Sequence, residues 1–181
     1  KEHWGPFQER FGTRLIETYG AVDGGGIATF NLGYGPAGSV GKPIPGTRYK
    51  LIGEDGSDVG VGRPGELAHY LGRQIDLSVE FHRNPEATME KCRNGWVFTG
   101  DLMTRDERGD LTFVGRKTDS MRVRGENVSA FEIECAANRH PTVLESAAFG
   151  VPSELGEQDV MLVVVPAPGW NIVPEQLRDD L

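Results

Sequence analysis

The chain has 181 residues, of which 38% are hydrophobic and 25% are charged, so it can form one medium globular domain or two small ones. Its formal net charge of −8 argues against a general nucleic-acid binder and against attachment to an anionic membrane, although a local site can still bind small anions. Cys92 and Cys135, the two cysteines, lack the spacing of a disulfide framework or a metal site, which favours a reducing compartment and predicts a cytoplasmic protein.

Residues 20–117 alternate short apolar runs with glycine-rich turns, which predicts several short strands. Asn84 and Pro85 have the residue types typical of a helix N-cap and a first helical position. The expected elements are strands within 47–56 and 65–72, a helix within 84–92, and a hairpin over 96–115 that turns at 106–109.

From residue 118 the pattern changes to strand, glycine turn, helix, strand, strand and helix. Ser129 and Glu132 have the spacing of a capping box, and Pro141 is expected to end the helix that they start. The later elements are strands within 142–152 and 158–168, the second with a buried apolar run at 160–165, and a helix from 174 to 181.

This order of elements predicts an α+β chain in two parts. Residues 1–117 would form a mainly-β, barrel-like subdomain, and residues 118–181 would form the beginning of a small α+β C-terminal domain. The boundary is expected near Gly115–Asp119.

The hairpin brings two charged residues together. In a register centred on 106–109, Asp101 and Arg116 are diagonal neighbours on one face, with Cβ atoms roughly 7–8 Å apart or less. A carboxylate and a guanidinium in this arrangement could clamp a diol or an anion. They could equally form a cross-strand ion pair worth less than about 1 kcal/mol.

A family resemblance bears on this choice. Residues 95–134 contain GW-x-x-TGD, D-x-x-G, GR-x-x-D, GEN and a helix with E-x-E, in that order. This series closely resembles the adenylate-forming superfamily of acyl-CoA synthetases, peptide-synthetase adenylation domains and luciferases. Further matches are YGAVD at 19–23, GKPIPG at 41–46, GELA at 65–68 and NPEAT at 84–88. The segment before NPEAT is similar to that of crotonobetaine/carnitine–CoA ligases, which points to fatty acid or carnitine metabolism.

The resemblance implies a two-step reaction and a nucleotide site. A carboxylate would attack the α-phosphate of ATP in the presence of Mg²⁺, and a thiol such as that of coenzyme A would then displace AMP. Asp101 would hold both ribose hydroxyls, and Arg116 would bind the nucleotide beside it. Tyr19 would stack on adenine, and Gly20 would let the backbone approach the ligand closely.

The resemblance also assigns residues to the movement of the C-terminal domain between the two steps. Thr118 and Asp119 occupy the hinge, although the family usually has Asp or Lys where Thr118 stands. Gly125 and Glu126 belong to the loop that approaches the thiol channel.

Some family features are altered or absent. The usual Thr-Glu pair is replaced by Val22 and Asp23; Asp23 could bind Mg²⁺ but reaches one methylene less far than Glu. The sequence lacks the Ser/Thr/Gly-rich phosphate loop and the late catalytic lysine, and its polar start is unlike a signal peptide. We therefore expect an internal fragment, without a transmembrane segment, that is inactive by itself.

Three functions remain open for the intact protein. The first is a carboxylate–CoA ligase acting on a small carboxylate, ATP and coenzyme A. The second is an adenylation domain that loads a carrier protein. The third is a non-catalytic relative that binds a nucleotide or an acyl group, which the unusual Val22 and Thr118 would favour.

Overall fold

The computed structural model describes residues 3–21, 26–71, 80–153 and 156–181, with residues 26–28 described by their backbone alone. The chain divides into two compact units, Lys1–Phe113 and Val114–Leu181. This division lies close to the boundary expected after residue 117. The assignment of residues 1–117 and 118–181 to two different domains stays a prediction.

The first unit begins with a helix and an antiparallel sheet. Helix α1 ends at a left-handed glycine, Gly12, with φ of +60°. The sheet order is β1-β2-β3. The bounds are α1 (Trp4–Phe11), β1 (Glu17–Ala21), β2 (Gly26–Asn31) and β3 (Lys42–Pro43).

A second antiparallel sheet follows, with the order β4-β5-β7-β6, and β8 pairs with β7. Helix α2 begins as predicted, since the Asn84 side chain accepts a hydrogen bond from Ala87 N at 3.1 Å. The bounds are β4 (Tyr49–Ile52), β5 (Gly65–Tyr70), α2 (Pro85–Lys91), β6 (Cys92–Arg93), β7 (Trp96–Arg105) and β8 (Leu111–Arg116). Within the ranges that the structure covers these strands form open sheets, so the expected barrel is not closed.

The core of the first unit lies on one face of this sheet. Leu51, Leu67, Met103 and Leu111 are fully buried there, and Phe113 packs against them. Strand β7 alternates along its length, and its core-facing residues are Val97, Thr99, Asp101 and Met103.

Trp96 and Phe98 occupy the alternate positions of β7 and are half-buried. The Trp96 ring lies 5.2 Å from the Tyr70 ring, and the Arg93 guanidinium lies 4.0 Å from the centre of the Phe98 ring. The predicted turn at 106–109 is confirmed, since Gly109 N donates to Asp106 O at 3.0 Å.

The second unit contains the predicted helix and strands together with an additional short strand. A 3₁₀ turn leads into a β-hairpin, and helix α3 packs against the ribbon that follows. Met121, Ala130 and Ala148 form its small core. The bounds are the 3₁₀ turn (Lys117–Asp119), β9 (Ser120–Val123), β10 (Glu126–Ser129), α3 (Ala130–Ala137), β11 (Val143–Pro152), β12 (Gln158–Pro166) and α4 (Pro174–Asp180).

Three sequence-based details of this unit are wrong. The capping box does not form, because the Ser129 hydroxyl donates to Val114 O at 3.2 Å instead of capping α3. Helix α3 ends at Ala137, before Pro141 is reached. The apolar run in β12 is not a buried strand, since Val163 is 50% exposed and Met161 is 44% exposed.

No helix in the parts of the chain described above is long and apolar enough to cross a membrane.

Candidate functional site

The candidate site is built around a contact between two sheets of the first unit. The Tyr19 hydroxyl, from β1, donates a hydrogen bond to Asp101 Oδ2, from β7, at 2.5 Å. Asp101 is only 5% exposed, and the half-buried Tyr19 packs against the hydrophobic core. Two residues that the sequence analysis assigned to one nucleotide site therefore lie together.

A β-bulge positions Asp101. The pairs Glu66–Leu102 and Ala68–Phe98 leave one residue of β5 opposite three residues of β7. Gly100 lies within the bulge at φ of +78°, which is the left-handed region that glycine adopts without steric cost. The bulge therefore places Thr-Gly-Asp where the regular ladder is interrupted.

Side chains provide the hydrogen bonds that the bulge removes from the ladder. Thr99 Oγ1 accepts from Asp101 N at 3.2 Å and donates to Leu67 O at 2.9 Å. Glu66 Oε1 accepts from Gly100 N at 3.1 Å. Thr99 and Glu66 are both buried, so the backbone around Asp101 is held by groups that are shielded from water.

Tyr19 also lies at an irregular position. It pairs with Thr29 whereas Gly20 pairs with Ile27, so β2 carries one extra residue at this point. Gly20 itself is exposed. The backbone beside the Tyr19 ring is thus open to solvent, which suits the close ligand approach expected at Gly20.

Arg116 and Asp23 are the other predicted ligand-binding residues. Arg116 is exposed at the end of β8, in the second unit, so its diagonal pairing with Asp101 stays a prediction. Asp23, together with Val22, lies outside the described residues. Among the residues that the structure does describe, no group of three His, Cys, Asp or Glu side chains could hold a metal ion.

The predicted hinge residues lie in the 3₁₀ turn of the second unit. Thr118 and Asp119 are exposed, and the Thr118 hydroxyl donates to Asp119 Oδ1 at 2.9 Å. Thr118 stands where the resemblance leads us to expect Asp or Lys, and its hydroxyl bonds to the carboxylate of the next residue.

Gly125 and Glu126 lie at the tip of the β9–β10 hairpin. Val123 pairs with Glu126, so Arg124 and Gly125 form a two-residue turn, with φ values of +50° and +84°. Positive φ at both positions is typical of a type I′ hairpin turn. Gly125 N donates to Glu157 Oε2 at 2.8 Å, a contact that the sequence analysis missed.

Comparisons with known proteins identify the family of this chain. The family model described as "AMP-binding enzyme" matches residues 1–70, and that of the AMP-binding enzyme C-terminal domain matches residues 132–181. The chain belongs to the AMP-binding enzyme family.

Curated relatives of this AMP-binding chain include CoA ligases. It is 39% identical over 169 residues to a long-chain-fatty-acid–CoA ligase of Yersinia pestis, covering 92% of this chain and 29% of that protein. It is 33% identical to a steroid-22-oyl-CoA synthetase of Rhodococcus jostii, covering 97% of this chain and 34% of that protein. The chain thus spans about three tenths of the length of these relatives.

Solved structures of the same family share the fold. ATP-bound MatB from Rhodopseudomonas palustris is 29% identical with a TM-score of 0.80, over 99% of this chain and 36% of that one. The anthranilate CoA ligase AuaEII in complex with anthranoyl-AMP is 26% identical with a TM-score of 0.75, over 98% of this chain and 34% of that one. The adenylate-forming α+β fold expected from the motifs is therefore confirmed.

Proposed function

We propose that the protein containing this AMP-binding chain is an ATP-dependent carboxylate–CoA ligase, which forms an acyl-adenylate and then an acyl-CoA thioester. The Tyr19–Asp101 hydrogen bond is the observation that carries the proposal, because it joins two motif residues that are 82 positions apart in sequence. The names of the curated relatives from Yersinia and Rhodococcus support the same reaction class.

In this proposal the first half-reaction uses the buried Asp101 carboxylate to bind the ribose hydroxyls of ATP. A carboxylate has two oxygens that accept hydrogen bonds, which matches the two donors of a ribose diol. The Tyr19 ring would stack on the adenine while its hydroxyl holds Oδ2 of Asp101. Gly20 would admit the nucleotide, and Arg116 would contribute a positive charge beside it.

The proposal also assigns a Mg²⁺ ligand and a class of substrate acid. Asp23 is the proposed Mg²⁺ ligand, and the ion would neutralise charge on the phosphates of ATP. For the acid, the Yersinia relative suggests a long-chain fatty acid, whereas the sequence around NPEAT suggests a carnitine-type substrate. The two free cysteines, Cys92 and Cys135, support a cytoplasmic location as part of the proposal.

In the second half-reaction the acyl group would pass to a thiol. We assign Gly125 and Glu126 to the loop that approaches the thiol, and Thr118 and Asp119 to the hinge. An amine acceptor is the second candidate, because an amide bond synthetase from Marinactinospora thermotolerans is 28% identical to this chain with a TM-score of 0.75.

The experiment uses the full-length protein and separates the two half-reactions. Carboxylate-dependent exchange of pyrophosphate into ATP is measured with fatty acids of several lengths, carnitine-type acids and small aromatic acids. AMP release is then followed with coenzyme A, an amine or a phosphopantetheinyl carrier protein as the acceptor. Exchange with at least one acid, followed by release that depends on coenzyme A, is expected. ATP binding without exchange for any acid would instead support a non-catalytic relative.

A further inference from the structure

We infer that Glu157 is a positioning residue for the Gly125 hairpin and thereby for the thiol-dependent half-reaction. The Glu157 carboxylate accepts a hydrogen bond from Gly125 N at 2.8 Å, across 32 residues of sequence. The catalytic part of this inference rests on the proposed function, whereas the structural part concerns the second unit alone.

The hairpin turn carries no side chain at position 125. Gly125 has φ of +84°, and a Cβ placed there would meet nothing within 4 Å. The turn therefore exposes backbone, and the geometry of that backbone depends on whatever binds its amide. Glu157 supplies a charged acceptor, which makes a stronger hydrogen bond than a neutral one.

Glu157 is itself well anchored. Its carbonyl oxygen accepts from Ser153 N at 2.9 Å, which closes the loop between β11 and β12. Its side chain therefore starts from a fixed point on the β11–β12 ribbon. A contact from this point can fix the hairpin relative to the ribbon within the second unit.

The next residue makes a parallel contact. Gln158 Oε1 accepts from Arg122 N at 2.9 Å. A Cβ at Gly150 would lie 2.6 Å from Gln158 Nε2, so the glycine at 150 leaves the space that the Gln158 side chain occupies. Glu157 and Gln158 thus bind two successive parts of one segment, strand β9 and its turn.

The two half-reactions should depend differently on the Gly125 loop. Nucleotide binding is assigned to residues outside the Gly125 hairpin and should not depend on the Gly125 amide. Attack by the thiol is assigned to the Gly125 loop and should be sensitive to small displacements of its backbone. Gly125 and Glu157 are both exposed. Loss of their hydrogen bond should therefore slow thioester formation moderately, by about fivefold, rather than abolish it.

The test compares Glu157→Ala, Glu157→Gln and the control Glu145→Ala in the full-length protein. Glu145 is an exposed carboxylate of β11 in the same unit. Hydrogen exchange at the Gly125 amide, followed by NMR, should be about fivefold faster in Glu157→Ala. It should be intermediate in Glu157→Gln, which keeps an acceptor oxygen but loses the charge, and it should not change in Glu145→Ala.

The kinetic measurement starts from preformed acyl-adenylate and adds coenzyme A in a single turnover. Glu157→Ala should slow thioester formation about fivefold and leave pyrophosphate exchange within about twofold, with Glu157→Gln intermediate. Equal losses in both half-reactions, or unchanged thioester formation despite faster Gly125 exchange, would overturn the positioning role. Unchanged Gly125 exchange would overturn the structural part as well. If the unmodified protein showed no pyrophosphate exchange, the proposed function would be rejected together with the kinetic role that rests on it. Hydrogen exchange at the Gly125 amide would then test the structural part by itself.

Discussion

The Tyr19 hydroxyl and the Asp101 carboxylate are joined by a 2.5 Å hydrogen bond between strands of two different sheets. The bond lies at two chain irregularities, a bulge opposite Tyr19 and a bulge at Gly100. Irregular strand positions reorient side chains and are frequent beside binding sites. The contact is therefore a natural place to test whether this site binds a nucleotide.

Replacing Asp101 by Asn should weaken ATP binding in the full-length protein. The change keeps the size of the side chain but removes its charge and one of its two acceptor oxygens. We expect the ATP dissociation constant to rise about tenfold to hundredfold, as measured by isothermal titration calorimetry. Asp110→Asn is the matched control, because Asp110 is equally buried at 5% exposure and is paired with Arg108 at 2.9 Å. If both variants lost the same affinity, the ribose assignment would fail.

Replacing Tyr19 by Phe tests the hydroxyl separately from the ring. The aromatic ring remains for stacking, whereas Asp101 loses the donor that orients its Oδ2 atom. We therefore expect a smaller effect, with the ATP dissociation constant about threefold to tenfold higher. Tyr34→Phe serves as the control, since Tyr34 is 73% exposed and its ring contacts Arg14. An ATP affinity identical to that of the unmodified protein would show that the hydroxyl does not orient Asp101 for binding.

The Cys92 thiol should react slowly with alkylating reagents. Burial raises the pKa of Cys92, and this effect outweighs the opposing influence of the Lys91 charge. Since the thiolate is the nucleophile, iodoacetamide should modify Cys92 more slowly at pH 8 in the folded protein than in urea. A Cys135→Ser background leaves Cys92 as the one thiol of these 181 residues, and mass spectrometry of the peptide that contains Cys92 gives the rate against pH.

The same pKa shift fixes a pH dependence of stability. A pKa raised on folding means that Cys92 contributes its full stabilisation below the pKa of the unfolded chain, and this contribution is lost as the pH rises through the folded value. Denaturant unfolding at several alkaline pH values should therefore show a steeper loss of stability with Cys92 than in Cys92→Ser. An alkylation midpoint no higher in the folded than in the unfolded chain would contradict the shift.

The sequence predicted the regular elements of the chain better than their irregular parts. Alternation and turn residues placed β4, β5, α2 and the hairpin at 106–109, since these features depend on local chemistry. Motif spacing selected Tyr19 and Asp101 for one site, although it gave no information on which atoms would meet.

The remaining features depend on contacts between distant residues. A bulge requires the register of the partner strand, which the sequence around Gly100 does not contain. Ser129 has the spacing of a capping box, but the Val114 carbonyl competes successfully for its hydroxyl. Glu157 reads as an ordinary loop carboxylate until the fold brings it to the Gly125 amide. In each case tertiary structure provided a hydrogen-bond partner that local pattern could not specify.

The bulge at Gly100 offers a test that separates strain from ligand binding. Gly100 has φ of +78°, and a Cβ added there would meet nothing within 4 Å, so Gly100→Ala would be disfavoured by backbone conformation rather than by a clash. This strain should destabilise the fold by about 1–2 kcal/mol, measured by denaturant unfolding. Gly46→Ala is the matched control, because Gly46 also has positive φ, +90°, and open space. The two variants should lose similar stability, but only Gly100→Ala should weaken ATP binding, because a relaxed bulge would displace Asp101. An equal effect on ATP affinity in both variants, or no effect in either, would show that the bulge does not position the carboxylate.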